Sequence, residues 1–425
     1  MIVKPLSQKL RLVTYTTIFM GIVSYGFTAI TARNLETSDA ARLLVIWTLL
    51  NILLLIFQFP IETYSPRFEI VITEEKITRE NLESFIASYC LITGALTMSV
   101  ISIVYTARFS DKITELIVIN SLILSMSIFF IARSIYFGQG NLKALAKLVT
   151  LLAVIVIVGL TIYTICGIKS AEILIMLFSS SYILAAILDA YANSESWVRK
   201  FRLYGTLGSM RAGASFFVEL KALMLTNMVS LLLLTGGVTL GEFVGVKDAA
   251  MITYIGLISL AMVPFSILNS ATSAILLRNI EHVRNRQYFQ FVRLFKRSAL
   301  VYLGLVIVFS FGALLFSSKA LEIFLGSKYN LDRIQSFWIF TSVGLAVLAA
   351  LPIFLLTSLG VLKKAIPGLI LTVITYLSVL GLIRSGVDGL NAASIVASLL
   401  LFSLSTYVLL RESKVLAIDA FECES

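Results

Sequence analysis

The chain has little charge. Of its 425 residues only 14% are Asp, Glu, Lys or Arg, against about 25% in an average soluble protein. Apolar residues make up 58%, and the mean hydropathy is +0.95. A soluble fold of this composition lacks the polar surface to cover itself, and the same figures exclude disorder. Cysteine is scarce and scattered, at Cys90, Cys166 and Cys423, which suggests neither a disulfide framework nor a metal pair. The single histidine, His282, reads as a surface residue of a polar segment. There is no Walker motif and no soluble domain to hold ATP, so the chain is not by itself a primary pump. Its loops are too short for the acidic or metal-binding site of a membrane glycosyltransferase. These absences point away from an enzyme and imply no cofactor.

What the sequence does have is long apolar runs. A helix rises 1.5 Å per residue, so crossing the ~30 Å hydrocarbon core takes about 20 apolar residues. Twelve runs approach or exceed that length, near 12–32, 43–60, 84–107, 115–137, 146–166, 171–191, 213–235, 250–277, 298–317, 335–359, 364–383 and 390–410. They are apolar on all sides, unlike the alternating ten-residue strands of a barrel. The fold class expected is an all-α polytopic membrane protein of about 12 transmembrane helices. With the N-terminus inside, the inner segments hold roughly twice as many Lys and Arg as the outer loops, which places both termini in the cytoplasm. The net charge of +10 is then mainly topological. It suits anionic lipid headgroups, not nucleic acid. No cleavable signal peptide is expected, because the first run is too long and lacks a small-residue cleavage site.

The runs fall into two halves. Asp39-Ala40-Ala41 followed by an apolar run and Arg67 matches Asp248-Ala249-Ala250 followed by an apolar run and Arg278. Gly140-Asn141-Leu142-Lys143 matches Gly360-Val361-Leu362-Lys363 in the same order. We expect a six-helix lobe at 1–191, a basic cytoplasmic linker at 192–212, a second six-helix lobe at 213–411 and a tail at 412–425. An even number of spans per half makes the repeat parallel, with a cleft between halves that alternating access would use. Residues 279–297 read as an amphipathic interfacial helix, either a connector or a site for an anionic headgroup, and 74–86 repeat the pattern more weakly.

Twelve spans, two halves and the run Thr31-Ala32-Arg33-Asn34-Leu35 closing the first span resemble the MOP superfamily of multidrug, oligosaccharidyl-lipid and polysaccharide exporters, and within it the polysaccharide repeat-unit flippases. That branch typically closes its first helix with Ala-Arg-x-Leu and an acidic link, here Glu36-Thr37-Ser38-Asp39. Glu36 stands where a Gly often follows, and Asn227 where an Asp is common in the seventh helix. The resemblance implies a MATE-like, two-lobed transporter. It implies passage of a polyprenyl-diphosphate-linked oligosaccharide across the bacterial cytoplasmic membrane for surface polysaccharide synthesis. Its implied partners are that lipid-linked oligosaccharide, membrane lipids, and the polymerase or glycosyltransferases of the same pathway. A monomer is expected.

Ionisable residues within spans are costly and therefore functional candidates. Arg133, near the inner end of the fourth span, either snorkels to the interface or lines the cavity as an anion ligand. Lys221 and Glu219 lie either mid-span or at the cytoplasmic boundary of the seventh. Arg33 either anchors its helix or lines the exit. Arg67 and Asn227 complete the cavity candidates. Pro60, Glu62 and Pro66 suit a bend at an inner gate or a plain helix terminus, with Glu219 a further gating candidate. Asn51, Asn120 and Asn269 read as interhelical hydrogen bonders. Pro264 is expected to kink the eighth helix, and Gly236-Gly237-Val238-Thr239-Leu240-Gly241 to form an outer turn. A diphosphate substrate wants fixed cations, whereas a cation-coupled drug exporter wants an embedded carboxylate. The first six spans are expected to hold almost none, with Asp189 and Glu62 at helix ends. The alternatives are such an exporter, a lipid II flippase, or a non-transporting scaffold.

Overall fold

In a bilayer core the backbone must satisfy its own hydrogen bonds, and a helix does so within one segment. The computed structural model describes residues 3–58, 60, 79–108, 112–138, 141–192, 214–241, 245–265, 287–329, 332–383 and 386–422. All regular structure among them is helical. In chain order the α-helices are α1 (Val3–Asn34), α2 (Thr37–Phe57), α3 (Arg79–Arg108), α4 (Ile113–Gly138), α5 (Leu142–Ile165), α6 (Ala171–Ala192) and α7 (Ala214–Leu240). They continue with α8 (Asp248–Phe265), then α9 (Tyr288–Leu325), α10 (Arg333–Ser358), α11 (Ile366–Leu382) and α12 (Gly386–Glu422), with a 3-10 turn at Leu362–Ala365 before α11. Among the described residues, 11 stretches are long and apolar enough to span a membrane. Side chains such as Ile103, Leu315 and Leu382 stand 69%, 68% and 84% exposed. A soluble monomer rarely shows contiguous apolar surface on this scale, so these faces meet lipid.

The chain divides into two compact units, Met1–Met224 and Leu225–Ser425. In the first, α4 is the central helix, with 67% of its apolar window buried against 39% for α5. Aromatic packing ties three neighbours together: Phe27 of α1 stacks on Trp47 of α2 at 4.2 Å, and both meet the edge of Phe178 on α6. In the second unit the central helix is α10, at 78% buried, with α9 and α11 peripheral at 22% and 28%. Phe265 of α8 packs on Tyr302 and Phe309 of α9.

Both sequence repeats occupy corresponding places. Asp39-Ala40-Ala41 and Asp248-Ala249-Ala250 open the second and eighth helices, and Asn141 and Val361 precede the fifth and eleventh. The details differ. The Asn141 side chain caps α5 by accepting from the Ala144 amide at 3.2 Å, a favourable cap. In the second unit Gly360, at φ 75°, closes α10, and the Val361 amide bonds back to the Leu356 carbonyl at 3.0 Å. That reversal needs a left-handed residue.

Two expectations are corrected. Gly236–Leu240 continue α7 as helix and do not form a turn. A Cβ at Gly237 would collide with the Tyr254 ring, so the glycine serves close approach of α7 to α8. The amphipathic segment is not a separate helix where it is described: residues 288–297 are the first turns of α9, which runs unbroken for 38 residues. α12 continues to Glu422, into the segment expected as the tail.

Candidate functional site: buried polar groups in each unit

The first unit gathers charge at the end where α2, α4 and α6 begin. Glu36 is extended, and α2 starts at Thr37 with Asp39 in its first turn, where the helix dipole favours a carboxylate. Arg42 follows three residues later on the same face and pairs with Asp39 at 2.8 Å. Glu115, in the first turn of α4, is fully buried. Arg42 grips it with a fork, Nε to Oε1 at 3.3 Å and Nη2 to Oε2 at 3.0 Å, the geometry that makes guanidinium–carboxylate pairs strong. Lys112 closes the set on Asp39 at 3.1 Å. Two acids and two bases thus balance at one end of the unit. Beside them the Tyr163 hydroxyl donates to the Ser170 carbonyl at 3.0 Å, and Ser170 Oγ donates to Glu172 at 2.7 Å.

Neutral polar groups occupy the middle. Ser179 of α6 lies 3.0 and 2.8 Å from Ser121 and Ser125 of α4. Gln58, completely buried at the end of α2, donates to Ser127 Oγ at 3.2 Å. At the opposite end the Tyr136 hydroxyl donates to Asp189 at 2.6 Å, and Asp189 is only 3% exposed. Arg133 lies one turn earlier on α4, half-buried, with its guanidinium 5.4 Å from the Phe130 ring centroid, within cation–π reach.

The second unit is built differently. Ser394 of α12 donates to the Leu233 carbonyl of α7 at 2.6 Å. Asn391, one turn before it and 2% exposed, has no partner for either amide atom among the described residues. Thr341 Oγ1 meets Ser310 Oγ at 2.9 Å. One ion pair joins the 3-10 turn to α12, Lys364 to Glu412 at 2.5 Å, with Glu412 nearly buried.

The sequence candidates fall out as follows. Arg33 is exposed in the last turn of α1, while Thr31, Ala32 and Leu35 of the same motif are buried. The motif therefore packs its small and apolar members inward and turns the cation out, favourable at a helix C-terminus. Lys221 is exposed on α7 and Asn227 half-buried on it. Pro60 is buried. Glu219 lies in α7, with its side chain outside the described residues, as are Glu62, Pro66, Arg67, Asn269 and His282. Asn120 bonds Ser102 across α3 and α4 at 3.1 Å, as expected. Asn51 bonds Trp47 of its own helix at 2.8 Å, so it is not interhelical. Pro264 sits at the last described turn of α8.

One expectation is overturned. The first six helices do hold buried carboxylates: Glu115, Asp189 and Glu83 are 0%, 3% and 7% exposed. Helix ends read as wet in the sequence, but neighbouring helices cover these. The charges that the unit does assemble, Asp39, Arg42, Lys112 and Glu115, were passed over. The available signal was Asp39 and Arg42 at i,i+3 on a helix start, and an acid in the first turn of an apolar run.

No family model matches the chain, and no curated protein matches it in sequence. Its fold does match solved transporters over nearly the whole length. An inward-facing multidrug resistance MATE family transporter of the MOP superfamily aligns at TM-score 0.71 and 10% identity, covering 94% of this chain and 99% of that one. The Vibrio cholerae MATE transporter VcmN, in its bent form, aligns at TM-score 0.64 and 13% identity, covering 97% and 98%. The lipid II flippase MurJ, in an inward closed conformation, aligns at TM-score 0.63 and 10% identity, covering 96% and 90%. The chain shares the fold of MOP superfamily transporters.

Proposed function

We propose that this chain is a membrane transporter that passes a polyprenyl-diphosphate-linked oligosaccharide across the bacterial cytoplasmic membrane, by alternating access of its two halves, for surface polysaccharide assembly. In this reading both termini are cytoplasmic, 192–212 links six-helix lobes at 1–191 and 213–411, and the protein acts as a monomer. The observation that carries it is the fold match, end to end, to transporters that include a flippase of a lipid-linked substrate. The cations support the diphosphate end of the substrate: Arg133 is half-buried over Phe130 and Lys221 is exposed on α7. Polymerase or glycosyltransferases of the same pathway are its proposed partners.

A second reading, cation-coupled drug export, gains from the buried carboxylates. Asp189 in particular is bound to a tyrosine hydroxyl and offers the kind of embedded acid that a coupling cation uses. Glu115 serves that role less well because Arg42 already neutralises it.

Deletion of the gene in its source organism separates the two. The flippase reading expects loss of one surface polymer, with lipid-linked repeat units accumulating inside. Re-expression of Arg133→Ala or Lys221→Ala should restore roughly a tenth or less of the polymer, consistent with loss of about 1.4 kcal/mol or more per headgroup contact. Unchanged glycans together with new sensitivity to cationic dyes would transfer the function to drug export.

A further inference from the structure

The second unit has one end with balanced charge and one without. Where α8, α10 and α12 begin and α9 ends, the exposed ions among the described residues are Lys247, Lys319, Lys328 and Arg333 against Asp248, Glu322, Asp332 and Asp388. At the other end the exposed ions are Arg293, Lys296, Arg297, Lys363, Arg411 and Lys414, with Lys364 paired to Glu412. Glu412 is buried, and among the residues of that end whose side chains are described none is an exposed acid.

The cations come from three segments that are far apart in sequence, and two part-buried contacts hold those segments together. Tyr288, at the start of α9, donates its hydroxyl to the Leu410 carbonyl of α12 at 3.3 Å, which sets Arg411 and Lys414 beside the start of α9. Lys364 binds Glu412, which brings the 3-10 turn and Lys363 to the same end. On α9, Phe291 and Phe295 are buried. Phe289, Arg293, Lys296 and Arg297 are exposed, at spacings that share one face.

Length places this face at the membrane boundary. The 38 residues of α9 and 37 of α12 span about 57 and 55 Å, nearly twice the ~30 Å hydrocarbon core. Both helices therefore run on into the headgroup layer, and both carry their cations on the extension. Phe289 is 86% exposed and stands beside the Tyr288 ring, in keeping with aromatic side chains at a bilayer interface. Topology alone requires positive charge on the cytoplasmic side. It does not require a set of cations drawn from three segments, joined by specific bonds and without an exposed acid among the described side chains.

We propose that this face, built from the first turns of α9, the 3-10 turn and residues 411–414 of α12, is a binding surface for anionic phospholipid headgroups of the adjoining leaflet. Basic pockets between helix ends hold phosphates in this way, and several guanidinium and ammonium groups around one headgroup supply charge-assisted hydrogen bonds. The inference does not depend on which substrate the transporter carries.

The test uses the purified full-length chain in neutral detergent, with retained lipid counted by native mass spectrometry. Phosphatidylglycerol should be retained roughly tenfold more tightly than phosphatidylcholine, a preference equivalent to about 1.4 kcal/mol. The triple variant Arg293→Gln, Lys296→Gln, Arg297→Gln should lower that preference severalfold, and the pair Arg411→Gln, Lys414→Gln should do so independently. Either set serves if the other fails to fold. Lys319→Gln with Lys328→Gln, at the balanced end, should leave it intact. Equal retention of the two lipids would overturn the proposal, as would an equal loss in the control pair. If polyprenyl diphosphate displaced phosphatidylglycerol from this face, and the variants weakened it more, the face would be a substrate port and the phospholipid assignment would fail.

Discussion

The two units open their second helix with the same three residues and use them differently. In the first, Asp39 pairs with Arg42 and Lys112, and Arg42 reaches on to the buried Glu115. In the second, Asp248 is exposed. Three residues later, where the first unit has Arg42, stands Met251, 2% exposed and packed so tightly on Gly241 that a Cβ there would collide with its methyl. One end is held by charge and the corresponding end by apolar packing. Burial of an ion pair returns little net stability over a hydrophobic pair of the same shape. The repeat thus tolerates either solution structurally, and the choice of charge in the first unit sets how that unit fails.

The sharpest break comes from removing one partner. Glu115→Gln leaves the Arg42 guanidinium, whose side chain is 11% exposed, without its fork and with Asp39 as a remaining carboxylate at 2.8 Å; breaking a buried pair costs up to about 3–5 kcal/mol. The melting temperature of the purified chain should fall by many degrees. Converting the first unit to the solution of the second, with Arg42→Met and Glu115→Leu together, should recover most of that loss. If the double variant melted as low as the single one, the two ends would not be interchangeable.

A smaller effect separates the opposite ends of the two units, where α4 and α6 end in the first and α12 ends in the second. Asp189 is held by the neutral Tyr136, whereas Glu412 is held by Lys364, itself 56% exposed. Tyr136→Phe removes a hydrogen bond to a buried carboxylate and should cost about 1.5–3 kcal/mol, with little dependence on salt. Lys364→Met should destabilise less in high salt than in low, because the exposed ammonium is already screened there. Equal salt dependence of the two variants would erase the distinction.

Asn391 offers the opposite sign. Both its amide atoms are buried without a partner among the described residues, while Ser394 beside it is bonded. A buried polar group left unsatisfied costs about 1–3 kcal/mol, so Asn391→Leu should raise the melting temperature if the amide has no transport role. A stabilised but inactive variant would mark Asn391 as functional, on the pattern in which strained or unsatisfied sites persist for activity.

The spans were legible because length and all-round hydrophobicity decide them, and both are local. Every expected run from 12–32 to 390–410 falls on a helix over its described residues, that at 250–277 only as far as Phe265, and 11 of these helices are long and apolar enough to span. The Asp39 and Asp248 repeats were legible as repeats for the same reason. The partners of the charges were not. Glu115 and Arg42 are 73 residues apart and meet only because α2 and α4 start at the same end of a packed unit. The sequence pattern assigned them to a wet loop and a span terminus. The helical spacing of 279–297 was legible, but no local pattern reveals that 288–297 run on unbroken into the apolar part of α9, or that Tyr288 is pinned to α12 across 122 positions. Burial at a helix end is decided by neighbours, and a linear reading treats every helix end alike.

The weakest contact of the comparison is also its cleanest control. Lys112 and Asp39 are 43% and 36% exposed in their pair, so water and salt compete for both. Exposed pairs of this kind are worth about 0–1 kcal/mol. Lys112→Ala should shift the melting temperature barely at all, and less still at high salt. Arg42 remains on Asp39 at 2.8 Å, so the carboxylate keeps a partner and the α2–α4 link through Glu115 is untouched. A loss as large as that of Glu115→Gln would mean that the four charges act as one cooperative network, with the exposed member as necessary as the buried one. A negligible loss would confine the stabilising role to the Arg42–Glu115 fork, the element that the second unit replaces with Met251.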